Sequence, residues 1–237
     1  MQIIQIWIDP KNPSSEITTS SLFKFLPQCT QEITYYNEVS IISMIEQCYG
    51  ADILKAYLSL KPPAFKADLA RYLILYLHGG WYFDFSTTLL QEPFGSEYSL
   101  ICFRDAPNPG LSSWDASNGI IFARPNTKVM ELCIQLALDN IRKRWYGTYP
   151  LCPTGPNLFG RALAIHGPDS AVITGMYTFL TPNHAMKNPG YILPDGTIFA
   201  LGKQYPAQLS QVAGEKDFEY NRLFYNQNVY ADVDRLN

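Results

Sequence analysis

The chain has 237 residues, of which 47% are hydrophobic and 14% aromatic, enough to bury a sizeable core and within the range of one large domain or two small ones. With 18 Lys and Arg against 21 Asp and Glu, the formal charge of −3 lacks the basic footprint of a bulk nucleic-acid binder, so no nucleic-acid partner is expected. The five cysteines (Cys29, Cys48, Cys102, Cys133, Cys152) follow no CxxC or zinc spacing, and buried, reduced thiols in a reducing compartment are the expectation.

The opening "MQIIQIWIDP" has no basic n-region, and no apolar run approaches the about 20 residues that a membrane span needs. A cytoplasmic location is expected. The cluster Arg142, Lys143 and Arg144 leaves peripheral attachment to a membrane open, although cations also suit the end of a helix.

"IIQIWI" (Ile3–Ile8) reads as a buried strand, broken by Asp9-Pro10. Spaced apolar residues predict a helix over Ser15 to Phe25, and "EITYYN" a second strand. Helices follow over Val39 to Cys48, with Gly50 as a stop, and over Ala51 to Leu60. Pro62-Pro63 opens the next helix, where proline is tolerated in a first turn. That helix runs to about Leu77 and is apolar over more than one face, which predicts deep burial; Gly79-Gly80 ends it.

"WYFDF", "YSLICF" and "GIIFARP" read as strands, Thr127 to Trp145 as a long amphipathic helix, and Asn157 to His166 as a shorter one. After Ala171 the pattern is short strands and turns, with a hairpin at Asp195-Gly196 in "GYILPDGTIFALG". Strands alternating with helices argue for an open α/β sheet. No internal repeat or low-complexity linker divides the chain, so one domain over 1–237 is the simplest reading. Two Pro/Gly-rich loops, Arg104–Ser117 and Tyr146–Asn157, are the places where a rigid scaffold would carry a site.

Asp68 and Arg71 lie at i,i+3 and share a face of the buried helix, where charges are rarely kept unless paired. Asp84 follows at the end of "GGWYFDF", the strand end at which open α/β sheets bind ligands. A carboxylate there suits a sugar hydroxyl or a divalent cation, since Mg²⁺ and Mn²⁺ take oxygen ligands and commonly use one or two carboxylates plus substrate phosphates.

Together "KADLARYLILYLHGGWYFDFS" resembles glycosyltransferase family 32 and the catalytic cores of the large glucosylating bacterial toxins, in which an acid and an arginine three apart precede a Gly-Gly-aromatic strand ending in Asp-x-Asp. "IIQIWID", "SNGIIFARP" and "TGPNLFGRAL" are similar to further segments of that family, so the resemblance spans roughly residues 3 to 165. It implies a GT-A-like fold, an open mixed sheet flanked by helices in a single Rossmann-like domain. The nucleotide-sugar part would occupy about 1–125, and the acceptor-side and C-terminal part about 126–237.

The resemblance also implies transfer of a hexose from a nucleotide-diphosphate sugar to a glycan, polysaccharide or lipid-linked acceptor with retention of configuration. Asp68, Arg71 and Asp84 would be the catalytic residues. Trp7 beside the base, Asn118 and Gly119 beside the sugars, and the same Asp68, Arg71 and Asp84 would bind the donor. Asp84 and Ser86 would hold Mn²⁺ or Mg²⁺.

Ser86 departs from the pattern, for the family places a second acid there. A serine hydroxyl can coordinate Mg²⁺ but adds no charge. Three readings follow: metal held through Ser86, the diphosphate and a further ligand; metal-free catalysis with Arg71 or Lys187 supplying the charge; or binding of a nucleotide sugar with poor turnover. "DVD" at Asp232–Asp234 lacks a preceding buried strand and reads mainly as a solvated tail, with supply of the missing carboxylate as the minor alternative. Of the three histidines (His78, His166, His184), His184 in "TPNHAMKNPG" is the better site candidate.

Overall fold

A computed structural model describes residues 1–15, 20–106, 112–180, 189–204, 214 and 219–232. His184, Lys187 and Asp234 lie outside the described residues. In chain order the elements are β1 (Ile3–Ile6), β2 (Ile33–Tyr36), α1 (Glu38–Cys48), α2 (Ala51–Ser59), α3 (Pro63–His78), β3 (Gly80–Phe83), β4 (Thr88–Leu89), β5 (Leu100–Asp105), β6 (Ala116–Ala123), α4 (Lys128–Arg142), α5 (Pro156–His166), β7 (Val172–Phe179), β8 (Pro189–Ile192) and β9 (Ile198–Leu201). The strands form one mixed sheet in the order β2-β1-β3-β6-β5-β7-β8-β9-β4. β1 runs parallel to β2 and β3, whereas β3 and β5 each run antiparallel to β6.

The sheet separates two apolar clusters. One takes residues from all five helices, with Ile4, Tyr82, Cys102 and Ile121 contributed by the strands. The other holds Ile3, Trp81, Phe83, Phe103, Phe122 and Phe199, with Leu22 and Leu26 laid over it from the loop after β1. The helices thus gather on one face, and an aromatic layer fills the other. Trp81 stacks on Phe83 at 5.2 Å within that layer.

Of the helix predicted over Ser15 to Phe25, residues 16–19 lie outside the described residues, and Ser21–Phe25 form turns rather than helix. The Ser20 hydroxyl accepts from the Leu22 N–H, and short bonds from Lys24 N to Ser21 O and Leu26 N to Phe23 O tighten the chain before Pro27. Leu22 and Leu26 are buried by the sheet, so tertiary packing claims the apolar residues that mimic helical spacing. The other predicted helices and strands up to α5 form within a few residues of their expected ends. β8 and β9 make the expected hairpin around Gly196, whose φ is +90°.

The cysteines are all free. Cys48 is exposed, contrary to the expectation of burial: it continues the face of Ile41, Met44 and Ile45, but the buried residues of α1 end at Ile45.

α3 begins with Pro63 in its first turn and carries nine buried residues, including Asp68 and Arg71. Its end needs glycine twice. Gly79 has φ +66°, and a Cβ there would come within 2.6 Å of the Pro125 ring; Gly80 has φ +103°, and a Cβ would meet the Gln2 carbonyl oxygen at 2.5 Å. This tight reversal drops the chain from α3 into β3, an interior strand of the sheet, so that the middle of α3 passes beside the strand's C-terminal end.

Candidate active site

Arg71 is the hub. Its Nη2 lies 3.1 Å from Asp68 Oδ1, and its Nη1 donates to Asp84 Oδ1 at 3.1 Å and to the Asn118 carbonyl oxygen at 2.6 Å. The guanidinium also sits 4.4 Å from the centre of the Tyr82 ring, a cation–π contact. Arg71 is 5% exposed and Asp68 8%, so this charge cluster is withdrawn from water and stands only because its hydrogen bonds are made.

Asp68 Oδ1 also accepts from Asn118 Nδ2 at 2.8 Å, and Oδ2 accepts from Thr154 Oγ1 at 2.9 Å. Burial pushes the Asp68 carboxyl above its ordinary value, while Arg71 and the bonds from Thr154 and Asn118 pull it back. Tyr72 completes the arrangement: its hydroxyl accepts from Asn118 Nδ2 at 3.0 Å and donates to the Thr154 carbonyl at 2.9 Å.

Asp84 is one residue past β3. Its N–H donates to Gly119 O at 2.8 Å, and Tyr82 Oη donates to its Oδ1 at 2.6 Å. Alternation along the strand puts Tyr82 and Asp84 on one face. The Asp84 side chain keeps 40% of its surface exposed, unlike Asp68. Oδ1 is therefore occupied by Arg71 and Tyr82, and Oδ2 is the oxygen left for a ligand.

Trp7, Asp68, Arg71, Asp84, Ser86 and Asn118 line one pocket of about 300 Å³. Its other walls include Ile6, Phe85, Leu151 and Tyr220. Trp7 meets Phe85 edge-on at 5.4 Å, so aromatic rings line the pocket together with its charged groups. Gly119 stands behind Asp84: a Cβ there would lie 2.7 Å from Asp84 Oδ2 and 2.8 Å from Tyr191 Oη.

Sequence reasoning did not single out Tyr72, Tyr82, Thr154 or Tyr220. Tyr82 was reachable from the two-residue period of "WYFD". Thr154 lies in the quoted "TGP" but had no assigned partner. Tyr220 carried no local signal; it reaches the pocket because residues 219–225 are helical and its ring packs edge-on against Phe65 at 5.3 Å. The loop Tyr146–Asn157 contributes Leu151 and Thr154, as its composition suggested. It is tied to the loop before β6 by Asp115, which accepts from Tyr149 Oη and Asn157 Nδ2 at 2.8 Å each.

Asp232 does not supply the missing carboxylate. It lies 3.6 Å from Arg144 and lines a separate cavity with Arg142 and Tyr230. Among the described residues, no three His, Cys, Asp or Glu converge as a metal group. Among the described residues, the donor set for a divalent cation in the pocket is thus one partly free carboxylate, Asp84, with Ser86 beside it. This fits a cation that takes its remaining ligands from phosphate and water, the ordinary habit of Mg²⁺.

The α/β sheet, with a buried Asp–Arg pair set against a carboxylate just past the end of β3, has the fold of a GT-A glycosyltransferase. Residues 12–106 match the family described as "Glycosyltransferase sugar-binding region containing DXD motif", a segment that holds Asp68, Arg71, Asp84 and Ser86. Among solved structures the fold resembles "PaToxG Glycosyltransferase", with 20% identity and a TM-score of 0.51 over 70% of this chain and 69% of that one. No curated protein matches the chain in sequence. No helix among the described residues is long and apolar enough to cross a membrane.

Proposed function

We propose that the protein transfers a hexose from a nucleotide-diphosphate sugar to a hydroxyl of a glycan or lipid-linked acceptor, with retention of configuration. The observation that carries this reading is the shared pocket, lined by the aromatic rings of Trp7 and Phe85 together with Asp68, Arg71, Asp84 and Asn118. Such a lining suits a ligand that combines a flat base, a diphosphate and sugar hydroxyls.

In this reading Trp7 flanks the base, and Asp68 and Asn118 serve the ribose or sugar hydroxyls. Arg71 holds Asp68 and Asp84 in place and adds positive potential next to the diphosphate. Asp84 and Ser86 would hold Mn²⁺ or Mg²⁺, which when bound neutralises charge on the leaving diphosphate. The bond between the sugar's anomeric carbon and the phosphate oxygen breaks, and its electron pair leaves on the diphosphate. The acceptor oxygen bonds to the same carbon from the same face, and its proton passes to the departing phosphate oxygen. The protein's share is positioning and preorganised charge rather than a covalent intermediate. The donor part would occupy about 1–125 and the acceptor side about 126–237 of a single domain.

Ser86 favours one second reading, a family relative that binds a nucleotide sugar and turns it over weakly or not at all. A thermal-shift series with uridine and guanosine diphosphate sugars, with Mn²⁺ or with EDTA, tests donor and metal together, because a ligand of the native state raises the melting point. Release of free nucleoside diphosphate then separates the readings. Stabilisation without any release supports the binder, and no stabilisation by any sugar nucleotide defeats both.

A further inference from the structure

Gln5 is the polar residue of β1, "IIQI", and it is fully buried. Its neighbours Ile4 and Ile6 fill the helix-side core and Ile3 fills the other, so packing alone would select a fourth aliphatic side chain. Gln5 Nε2 donates to the backbone oxygen of Asp84 at 3.3 Å, while its Oε1, equally buried, meets no donor among the described residues. Leaving a buried amide oxygen without a partner is destabilising, a cost that leucine or methionine would avoid. The residue is therefore kept at a cost, and what it gains is a grip on Asp84.

That grip falls at a sensitive atom. Asp84 O also accepts from Thr87 N at 2.9 Å, the bond that closes the turn Asp84-Phe85-Ser86-Thr87. Asp84 N is held by Gly119 O, so with Gln5 the peptide groups on both sides of Asp84 are fixed. Gln5 itself stands on a rigid base, since β1 is paired to β2 on one side and β3 on the other. A flip of its amide would set Oε1 against the Asp84 carbonyl oxygen, acceptor against acceptor, so a single orientation is selected.

We propose that Gln5 is a positioning residue for the Asp84–Ser86 turn: its carboxamide fixes the Asp84 carbonyl, and through it the mutual placement of the Asp84 carboxylate and the Ser86 hydroxyl toward a donor diphosphate and its cation. The catalytic consequence rests on the nucleotide-sugar reading above; the structural one does not. Because Ser86 supplies a hydroxyl where an acid would hold a cation by charge, placement matters more here than it would for two carboxylates.

The test compares wild type with Gln5→Met, which keeps length and removes both polar atoms; Gln5→Leu takes its place if that variant does not fold. The urea midpoint is expected to stay level or rise, since the orphan oxygen is gone. Amide exchange of Thr87 is expected to accelerate about tenfold or more as the turn loosens. The Mn²⁺ concentration that half-saturates nucleoside diphosphate release from uridine or guanosine diphosphate sugars is expected to rise about tenfold, the usual scale for losing a group that orients a metal ligand. Unchanged Thr87 exchange overturns the proposal, and so does faster exchange with an unchanged Mn²⁺ requirement. If wild type binds no sugar nucleotide with or without Mn²⁺, the nucleotide-sugar reading fails instead, and Thr87 exchange still decides whether Gln5 holds the turn.

Discussion

Arg71 Nη1 reaches Asp84 Oδ1 at 3.1 Å, joining the middle of α3 to the residue that follows β3. The same guanidinium binds Asp68, so two carboxylates are fixed by one cation whose own side chain is 6% exposed. Removing that cation leaves the buried Asp68 carboxyl without its ionic partner. Arg71→Ala is expected to destabilise the fold by about 3–5 kcal/mol, the usual cost of breaking a buried pair from one side. Arg71→Lys restores charge but not the fork, and should recover only part of the loss. Urea titration of both variants reads this directly, and near-wild-type midpoints for Arg71→Ala would contradict the hub.

Asp84 differs from Asp68 in being 40% exposed at its side chain. Asp84→Ala should therefore leave the urea midpoint far less changed than Arg71→Ala does. It should nevertheless abolish stabilisation by a sugar nucleotide. A preserved thermal shift in the variant would place the donor elsewhere.

Ser86 shares the pocket with Asp84, so a carboxylate at this position would stand beside the first. Ser86→Asp is expected to lower the Mn²⁺ concentration needed for donor-dependent stabilisation by about tenfold or more, because a charged oxygen holds a hard cation better than a hydroxyl does. A titration that shows no gain would argue that the cation does not bind at this turn, and would favour catalysis without metal.

Gly119 leaves no room for a side chain. An alanine Cβ would stand 2.7 Å from Asp84 Oδ2 and 2.8 Å from Tyr191 Oη. The 4% exposed Tyr191 has little space to retreat, since its ring packs on Tyr177 at 4.5 Å and Phe103 at 5.1 Å. Gly119→Ala should therefore push Asp84 out of place and reduce transfer about a hundredfold, in line with the cost of small misplacements at a reacting centre. Steady-state kinetics check it, with circular dichroism to confirm the fold.

Asp105, at the end of β5, gives the protein a pH signature. Burial, with the nearby Asp115 charge, pushes its carboxyl up to about 7 from 3.8. Its Oδ1 is buried with no hydrogen-bond partner among the described residues. A raised carboxyl binds its proton more tightly in the folded state than in the unfolded chain. Stability is therefore expected to fall as pH rises from about 4 to about 7, with the full penalty above that window. Asp105→Asn should flatten this decline and raise the melting temperature at pH 8 relative to wild type. An equally steep decline in the variant would assign it to other groups.

The sequence by itself determined the local machinery. A buried helix with Asp68 and Arg71 on one face, a Gly79-Gly80 reversal and a strand ending at Asp84 are each fixed by spacing or by backbone conformation over a few residues. These features also carried the family resemblance, and Ser86 was visible as a departure. Only the tertiary structure decided what those residues touch. Asn118 reaches Asp68 across 50 positions and Thr154 across 86, contacts that no local period encodes. The pocket wall at Tyr220 and the turns at Ser21–Phe25 were settled in the same way, by the burial that packing against distant elements offers. Helix and turn signals act over one or two turns of chain, whereas the site is assembled from strand ends and loops that come together only when the sheet forms.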